Sequence, residues 1–372
     1  MKKDLIKRGM SYFIMTDIPR LLLYLSLVLS FVSCSSSSKE KVAEKNIKHY
    51  QLKHKFHREI FMRFPRIQVA DDYLVVVTPH QRDKFVIVHS IEDNMEEVAS
   101  YGYLGNGPGE FTQPVMTYAD KNIFGLNEIN EKELTNLEII KDDKGKVFVR
   151  EKERLKSEMI FKKGELGMID RYYTKLDDSH YVSLLLNADG EFFTLSDGQI
   201  NPIQRFGESP VDEDLDVLAI FDGFQGKMAV QDGVFYYATH KLPYLVAYQL
   251  NGDKMEKLWS RFYRTPHYAV SNGELKLVRD KSTGPLLDMR TDSKYIYLLY
   301  LNQLHSEYDA DVTAKSCSNE IWVFNHQGEE VACLHLDCRL STMAIDKKRN
   351  KIYGIAHIPD LSLVEFDLPI YK

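Results

Sequence analysis

Residues 230–237 read Val-Gln-Asp-Gly-Val-Phe-Tyr-Tyr, and this short pattern decides the fold. An apolar residue leads into a turn built on Asp232, and a strand of β-branched and aromatic residues follows. The pattern occurs six times, and a regular repeat constrains the architecture more than any single motif does. The other copies are Val69-Ala-Asp-Asp-Tyr-Leu-Val-Val-Val, Tyr118-Ala-Asp-Lys-Asn-Ile-Phe, Leu176-Asp-Asp-Ser-His-Tyr-Val, Met289-Arg-Thr-Asp-Ser-Lys-Tyr-Ile-Tyr and Ile345-Asp-Lys-Lys-Arg-Asn-Lys-Ile-Tyr.

Further strand-like segments follow most of the Asp turns. After Asp232 they are Tyr244–Tyr248 and Leu258–Phe262, with a turn at Asn251-Gly-Asp between them. Four-stranded antiparallel units repeated every roughly 40–60 residues predict a β-propeller, because a radial arrangement leaves only short sheet edges. The sequence therefore predicts an all-β fold with six blades. A pair of β-sandwiches has a similar density of strands but does not explain the regular spacing.

The last unit predicts how the ring closes. Ile345–Leu368 supplies only three strand segments before Lys372. The N-terminal segment Tyr50–Phe56 has the alternation of a strand and no blade of its own. We expect this segment to join the C-terminal blade as its missing strand. Helical patterns are rare, and the two fair candidates are Asn130–Ile140 and Asp212–Phe221.

Residues 1–33 have the pattern of a secretory signal. Basic residues precede the apolar run Leu21–Val32, which is too short to span a bilayer, since a span needs about 20 apolar residues. The serines at 35–38 then suit a flexible tether over residues 34–45, which leaves residues 46–372 for the propeller.

The end of this signal resembles the bacterial lipoprotein signal, in which a cysteine is acylated and becomes the mature N-terminus. Leu29–Cys34 carries the resemblance, which implies a lipid anchor on Cys34. Phe31 is bulkier than the usual residue at its position, so an ordinary secretory signal with an incidental Cys34 is the alternative. Translation from Met10 or Met15 also stays open.

The charge excludes two classes of partner. The chain has a formal net charge of −6, and loss of residues 1–33 removes more basic than acidic residues. An acidic body argues against nucleic acid, whose phosphates need basic clusters, and against electrostatic adhesion to anionic lipid. Contact with the membrane is expected through the lipid on Cys34 only.

A glycine-rich stretch carries a family resemblance. Residues 103–111 read Tyr-Leu-Gly-Asn-Gly-Pro-Gly-Glu-Phe, with Pro114 just beyond. This resembles the signature of TolB-like and NHL-like six-bladed propeller lipoproteins of Gram-negative bacteria. The resemblance implies the propeller fold and an envelope location, with the outer membrane expected, and it transfers no catalytic residue. The stretch itself predicts a tight connection between blades, since Pro108 removes an N–H that a phosphate-binding loop would use.

Candidate site residues are few. Asp212, Asp214 and Asp216 alternate as calcium ligands do, but Val217 replaces the glycine of the known calcium loop, so a solvated acidic insertion is the favoured interpretation. Tyr263, His267 and Tyr268 are candidates for a carbohydrate or peptide platform. We assign the six Asp turns to architecture, because Asp side chains bond backbone N–H groups in turns. No catalytic motif and no cofactor are indicated.

The cysteines give a register prediction. Cys333 and Cys338 lie five residues apart on one strand, about 16 Å, too far for a disulfide. A hairpin turn at Gln327-Gly328 would place Cys317 opposite Cys338, so this pair is the candidate disulfide. Cys333 is expected to be a buried free thiol.

The sequence favours a non-enzymatic binding or scaffold module for a protein or glycan partner. Its longest insertions, Gly207–Gly226, Arg264–Leu287 and Leu301–Asn319, are expected to gather on one face, because binding residues concentrate in such loops. The alternative is a hydrolase or lyase that acts on glycan or peptide in the propeller channel. Convergent carboxylates or a Ser–His–Asp set at the channel mouth would favour it.

Overall fold

The computed structural model describes residues 47–60, 64–79, 83–128, 133–157, 171–185, 191–308 and 316–371. One compact unit spans Ile47–Lys372. The predicted signal at 1–33 and the predicted tether at 34–45, including Cys34, lie outside the described residues.

The described strands form the six blades of a propeller, each with four antiparallel strands. Two N-terminal strands, β1 (Lys48–Leu52) and β2 (Lys55–Glu59), precede the first blade. Blade one contains β3 (Arg66–Ala70), β4 (Tyr73–Val77), β5 (Asp83–Ser90) and β6 (Glu96–Leu104), with β7 (Glu110–Phe111) beside β6. Blade two contains β8 (Pro114–Asp120), β9 (Ile123–Glu128), β10 (Glu133–Lys141) and β11 (Val147–Lys156). Blade three contains β12 (Arg171–Lys175), β13 (His180–Leu184), β14 (Phe193–Asp197) and β15 (Pro202–Phe206).

The second half of the chain adds helices between strands. Helix α1 (Val217–Phe224) precedes blade four, and the hairpin β20–β21 follows that blade. Blade four contains β16 (Gly226–Gln231), β17 (Val234–Thr239), β18 (Tyr244–Asn251) and β19 (Lys254–Phe262), and the hairpin contains β20 (Tyr268–Ser271) and β21 (Glu274–Leu277). Blade five contains β22 (Leu286–Thr291), β23 (Tyr295–Tyr300), helix α2 (His305–Tyr308), β24 (Ser318–Asn325) and the first half of β25 (Glu330–Asp346). Blade six contains the second half of β25, β26 (Lys351–His357), β27 (Leu361–Asp367) and β2.

Burial differs between the middle and the edge of a blade. All five residues of β4, Tyr-Leu-Val-Val-Val, are buried, because β-branched and aromatic side chains pack against neighbours on both faces of the sheet. The outer strand β11 alternates buried and exposed residues along much of its length. The buried residues group into six described clusters, and each cluster lies between two adjacent blades. The predicted six-bladed fold is therefore confirmed.

An N-terminal strand closes the ring, as the sequence predicts. Strand β2 pairs antiparallel with β27, with Lys55 opposite Glu365, and becomes the fourth strand of the C-terminal blade. The predicted segment begins too early, however. Tyr50 belongs to β1, which pairs in parallel with β25 and extends blade five instead.

Strand β25 joins two blades. Its first half pairs with β24 as the outer strand of blade five, and its second half pairs with β26 as the inner strand of blade six. Blades five and six are consequently one continuous sheet.

The two predicted helices need correction. Asn130–Ile140 contains no described helix, since Glu133–Lys141 is strand β10, whose apolar residues Leu134 and Leu137 are buried between blades. Short apolar runs with a spacing of three fit either structure. The second helix begins later than predicted, because Asp216 is its N-cap and accepts a 2.7 Å hydrogen bond from the N–H of Ala219.

The predicted alignment of Cys317 with Cys338 is wrong. The expected register holds between Glu320 and Val323, but a bulge then pairs Ser318 with Leu340. Cys317, Cys333 and Cys338 are free thiols, and Cys333 is fully buried.

The glycine-rich stretch connects blades one and two. The carboxylate of Glu110 accepts a 2.7 Å hydrogen bond from the N–H of Gly107, and β7 pairs in parallel with β6. A Cβ on Gly105 would lie 2.1 Å from this carboxylate, so the loop requires glycine there.

Gly226 permits a close approach inside blade four, and we predict that Gly226→Ala lowers the free energy of unfolding by about 2 kcal/mol. A Cβ there would lie 2.2 Å from the carbonyl oxygen of Ala238. The matched control is Gly223→Ala in α1, whose Cβ would meet nothing closer than Leu275 at 3.7 Å. Denaturant unfolding should show the control at or above wild-type stability. Equal midpoints for wild type and Gly226→Ala would contradict the prediction.

Candidate functional site

The six Asp turns lie together on one face of the ring. Each turn joins the innermost strand of a blade to the next strand, so all six inner strands end at this Asp-turn face. A pocket of about 600 Å³ opens between the turns and is lined by all six blades. Its lining includes the acidic residues Asp71, Asp120, Asp177, Asp178, Asp232 and Asp346, and the basic residues Lys121, Lys175, Arg290, Lys347 and Lys348.

The Asp side chains of the turns divide into two kinds. Asp292 and Asp346 are buried and hold their turns together: the Oδ1 of Asp292 accepts hydrogen bonds of 2.7 and 2.8 Å from the N–H groups of Lys294 and Tyr295. By contrast, Asp71 and Asp232 are exposed at the pocket. The architectural role predicted for these aspartates therefore fits Asp292, Asp346 and also the exposed Asp177, whose Oδ1 accepts a 2.7 Å hydrogen bond from the N–H of Ser179. Asp71 and Asp232 lie at the rim of the pocket.

Ion pairs join neighbouring blades at the rim. The Nζ of Lys175 on blade three lies 2.7 Å from the Oδ1 of Asp178 and 3.7 Å from the Oδ2 of Asp120 on blade two. The hydrogen bond from Lys175 lowers the pKa of Asp178. Ion pairs with a carboxylate as exposed as Asp178 contribute at most about 1 kcal/mol, so this pair adds little to stability.

Arg290 closes the floor of the pocket. Its guanidinium donates a 2.7 Å hydrogen bond to the Oδ1 of Asp288 and a 3.1 Å bond to the carbonyl of Ile67 on blade one. Asp288 is buried and accepts further bonds from Thr342 and Met343 on blade six, at 2.7 and 3.0 Å. This network links the inner strands of blades five, six and one.

Two more cations surround this carboxylate. Burial opposes ionisation of Asp288, but Arg290, Lys227 and Arg66 outweigh it and hold its pKa below the ordinary value. Burial, with repulsion from Arg66, lowers the pKa of Lys227 to about 7. The Nε of Arg290 is buried without a hydrogen-bond partner. Three basic side chains therefore surround the one carboxylate of Asp288, although Lys227 is only partly charged near pH 7. Of these residues Arg290 lines the pocket, and its unpartnered Nε favours an anionic or hydrogen-bond-accepting group there.

The described lining carries carboxylates and lysines but not the other groups of a nucleophile–base set. The described residues around the pocket include no histidine, cysteine, serine or glutamate. They therefore supply neither a Ser–His–Asp set nor an imidazole base. Threonine hydroxyls, the Gln68 amide and mixed charges remain, and these groups suit hydrogen bonding to a polar ligand.

The predicted acidic site lies elsewhere. Asp212, Asp214 and Asp216 precede α1, and Asp216 is occupied in capping that helix. In the described chain these three residues do not form a group of metal ligands within reach of one another.

The predicted aromatic platform is not one surface. Tyr263 is buried and packs edge-on against Tyr300, with ring centroids 5.5 Å apart. The carbonyl of His267 accepts hydrogen bonds within its own connection, and the hydroxyl of Tyr268 lies 3.4 Å from Glu213.

The three long insertions gather on one face, as the sequence predicts. The N–H of Asp216 bonds the carbonyl of Gly273, and the N–H of His305 bonds the carbonyl of Ser282. The first two insertions come just before an inner strand, and the third comes just after a second strand. Because inner strands end and second strands begin at the Asp-turn face, the described parts of these insertions lie on the opposite face. Reasoning from loop length therefore missed the pocket, and the signal that locates it is the repeated turn itself.

No described helix is long and apolar enough to cross a membrane. The sequence matches the TolB-like 6-blade propeller-like family over residues 43–348. Proteins of curated function give no match. A solved duf4221-family protein from Bacteroides vulgatus has a TM-score of 0.51 at 9% identity, covering 86% of this chain and 99% of that chain. A Bacteroides fragilis protein described as exported has a TM-score of 0.49 at 11% identity, covering 86% and 98%. At 9% identity the likeness to the Bacteroides vulgatus protein is one of fold alone.

Proposed function

The chain belongs to the TolB-like 6-blade propeller-like family, and we propose that it is an exported, non-enzymatic binding module. Its Asp-turn pocket takes a polar segment of a protein or glycan partner that carries an anionic group. The observation that supports this proposal is the pocket itself, which is ringed by charged side chains and has Arg290 in its lining with a buried Nε that lacks a hydrogen-bond partner.

The proposed location is supported by the pattern of the leader sequence. The signal pattern at 1–33 favours export, and Cys34 is proposed as the lipid attachment site that holds the propeller at the bacterial envelope, with the outer membrane as the expected membrane. Mass spectrometry of the membrane fraction tests this step, because an acylated peptide beginning at Cys34 is expected and an unmodified one would refute the anchor.

An enzyme of the hydrolase or lyase class is the second candidate. A propeller channel can hold catalytic carboxylates, and the exposed aspartates at the rim are the residues that keep this candidate open. The composition of the lining favours binding, since it offers no histidine base and no serine nucleophile among the described residues.

We predict that the double variant Lys121→Gln and Lys347→Gln captures the partner at least about fivefold less than wild type, because exposed cations attract an anionic ligand. The measurement is quantitative crosslinking from intact envelope, beside a panel of neutral and acidic glycans. The double variant Lys144→Gln and Lys146→Gln, in the exposed turn between β10 and β11, is the matched control because it removes the same number of charges.

Undiminished capture by the double variant would place the partner outside the Asp-turn pocket. Turnover of any glycan by wild type would replace the binding proposal with the enzymatic one. A protein crosslink and a glycan signal distinguish the two partner classes directly.

A further inference from the structure

Three side chains of the kinds that bind metal ions, two histidines and a cysteine, lie together where β1 pairs with β25; this line of pairing is called the seam below. These strands pair in parallel, with His49 directly opposite Cys333. His335 lies two residues after Cys333, so its side chain projects from the same face of the strand. One ring nitrogen of each histidine and the Sγ of Cys333 all lie within 4.8 Å of one another.

The two imidazoles already face each other. The Nδ1 of His49 is 2.8 Å from the Nε2 of His335, and the rings are 14° from parallel with centroids 5.1 Å apart. Two ring nitrogens at this distance share one proton, since one must donate and the other accept. A cation can take the place of that proton.

Glu320 lies beside one of these rings. Its Oε1 lies 3.7 Å from the Nδ1 of His335, on the side of the ring away from His49. A carboxylate beside the outer nitrogen of a ligating histidine fixes the tautomer and aims the other nitrogen at the metal. Glu320 is opposite His335 in the β24–β25 register, so the sheet itself sets this arrangement.

We propose that His49, Cys333 and His335 form a binding site for one transition-metal ion of the zinc class. Two imidazoles and a thiolate are ligands that Zn²⁺ prefers, and a water completes a tetrahedral set. Ligand nitrogens about 2.0–2.1 Å from Zn²⁺ lie roughly 3.3 Å from each other in a tetrahedron, so the histidines need to separate by about half an ångström. His49 is exposed and free to make this movement.

The thiol contributes through displacement of its proton. The Cys333 thiol is fully buried, and it must lose its proton to act as a ligand, because the thiolate is the form that binds a metal ion. Binding of the ion forms the S–metal bond and releases that proton to solvent.

A neighbouring group acts as an internal comparison. His54, Asp337 and Cys338 also lie within 4.8 Å of one another further along the seam. The Oδ1 of Asp337 is already bonded to the Nδ1 of His54 at 2.9 Å and to its N–H at 3.1 Å. This carboxylate is therefore committed to the chain, and we place the ion at Cys333.

The ion would fasten β1 to blade five. Strand β1 has exposed residues at three of its five positions and pairs with the propeller along one edge only. One of the three ligands belongs to β1, so the ion crosslinks this strand to β25 without touching the pocket.

Cobalt(II) titration of the purified protein tests the proposal, since a thiolate ligand gives an absorption band that imidazole and carboxylate do not. We expect one Co²⁺ per chain with a thiolate band, competed by Zn²⁺. Cys333→Ser and His49→Ala should each lower the affinity at least about tenfold and Cys333→Ser should abolish the band, whereas Cys338→Ser and His54→Ala should change neither.

Hydrogen exchange supplies a measurement that does not depend on the cobalt absorption band. Zn²⁺ should slow exchange of the β1 amides in wild type and not in His49→Ala, whose substituted side chain is exposed and leaves the core intact. Loss of the band in Cys338→Ser but not in Cys333→Ser, or no stoichiometric binding, would overturn the assignment.

Discussion

Replacing Asp288 with Asn should lower the free energy of unfolding by about 3–5 kcal/mol, because it removes the buried carboxylate that Arg290, Lys227 and Arg66 surround. Asn has nearly the same size as Asp, so the loss of stability measures the contribution of the negative charge. Arg290 would lose its charged partner at 2.7 Å, and Lys227 and Arg66 would repel it without compensation. Denaturant unfolding at pH 7 measures the effect.

Lys227→Met is the companion variant and should move stability in the opposite direction. Burial lowers the pKa of Lys227 from 10.5 to about 7. Between these values the unfolded chain binds more protons than the folded chain, so this lysine makes stability rise with pH across that window. The stabilising effect of Lys227→Met should accordingly be largest below pH 7. A destabilised Lys227→Met, or an Asp288→Asn protein of wild-type stability, would show that the charges are solvated.

Removal of the two N-terminal strands is the second large effect. A chain that begins at Phe64 lacks β1 and β2, and we expect it to lose about 4–6 kcal/mol, since each lost hydrogen bond contributes about 1 kcal/mol and Ile60 adds its burial. The edge of β27 is then unpaired and promotes aggregation.

A chain that begins at Ile47 is the matched control for this truncation, because it keeps both strands and the whole compact unit. Calorimetry and light scattering of the two purified chains measure stability and association. If the shorter chain melts as a monomer at the control temperature, blade six is stable with three strands and ring closure is dispensable.

The architecture could be predicted because it depends on local patterns. Each blade repeats an Asp-containing turn, such as the one at Asp232, followed by a buried strand. Each copy of this pattern predicts the same hairpin between the inner strand and the next strand. The missing strand of blade six was predictable by counting. Its boundary was not, because the exposure of β1 and β2 gives both strands a similar pattern of mixed polarity.

The site was harder to predict for a physical reason. Arg66, Lys227, Asp288 and Arg290 come from three blades, and no sequence pattern links residues that meet only across the ring. The Asp turns also have similar sequences whether the aspartate is buried or exposed. Asp292 nevertheless bonds the backbone of its own turn, whereas Asp71 faces the pocket. The register of Cys317 failed at a bulge, which adds a residue that strand patterns do not show.

The pairing of β2 with β27 has a consequence for the time course of folding. Lys55 and Glu365 come from opposite ends of the propeller sequence, so this contact has nearly the largest sequence separation that the domain allows. Strand β2, near the N-terminus, cannot pair with β27 until β27 has been synthesised. Contacts of this kind carry the greatest loop-closure entropy and form slowly. We therefore expect five blades to assemble before the sixth. Pairing of β2 with β27 should then be the slow step that limits formation of the native ring.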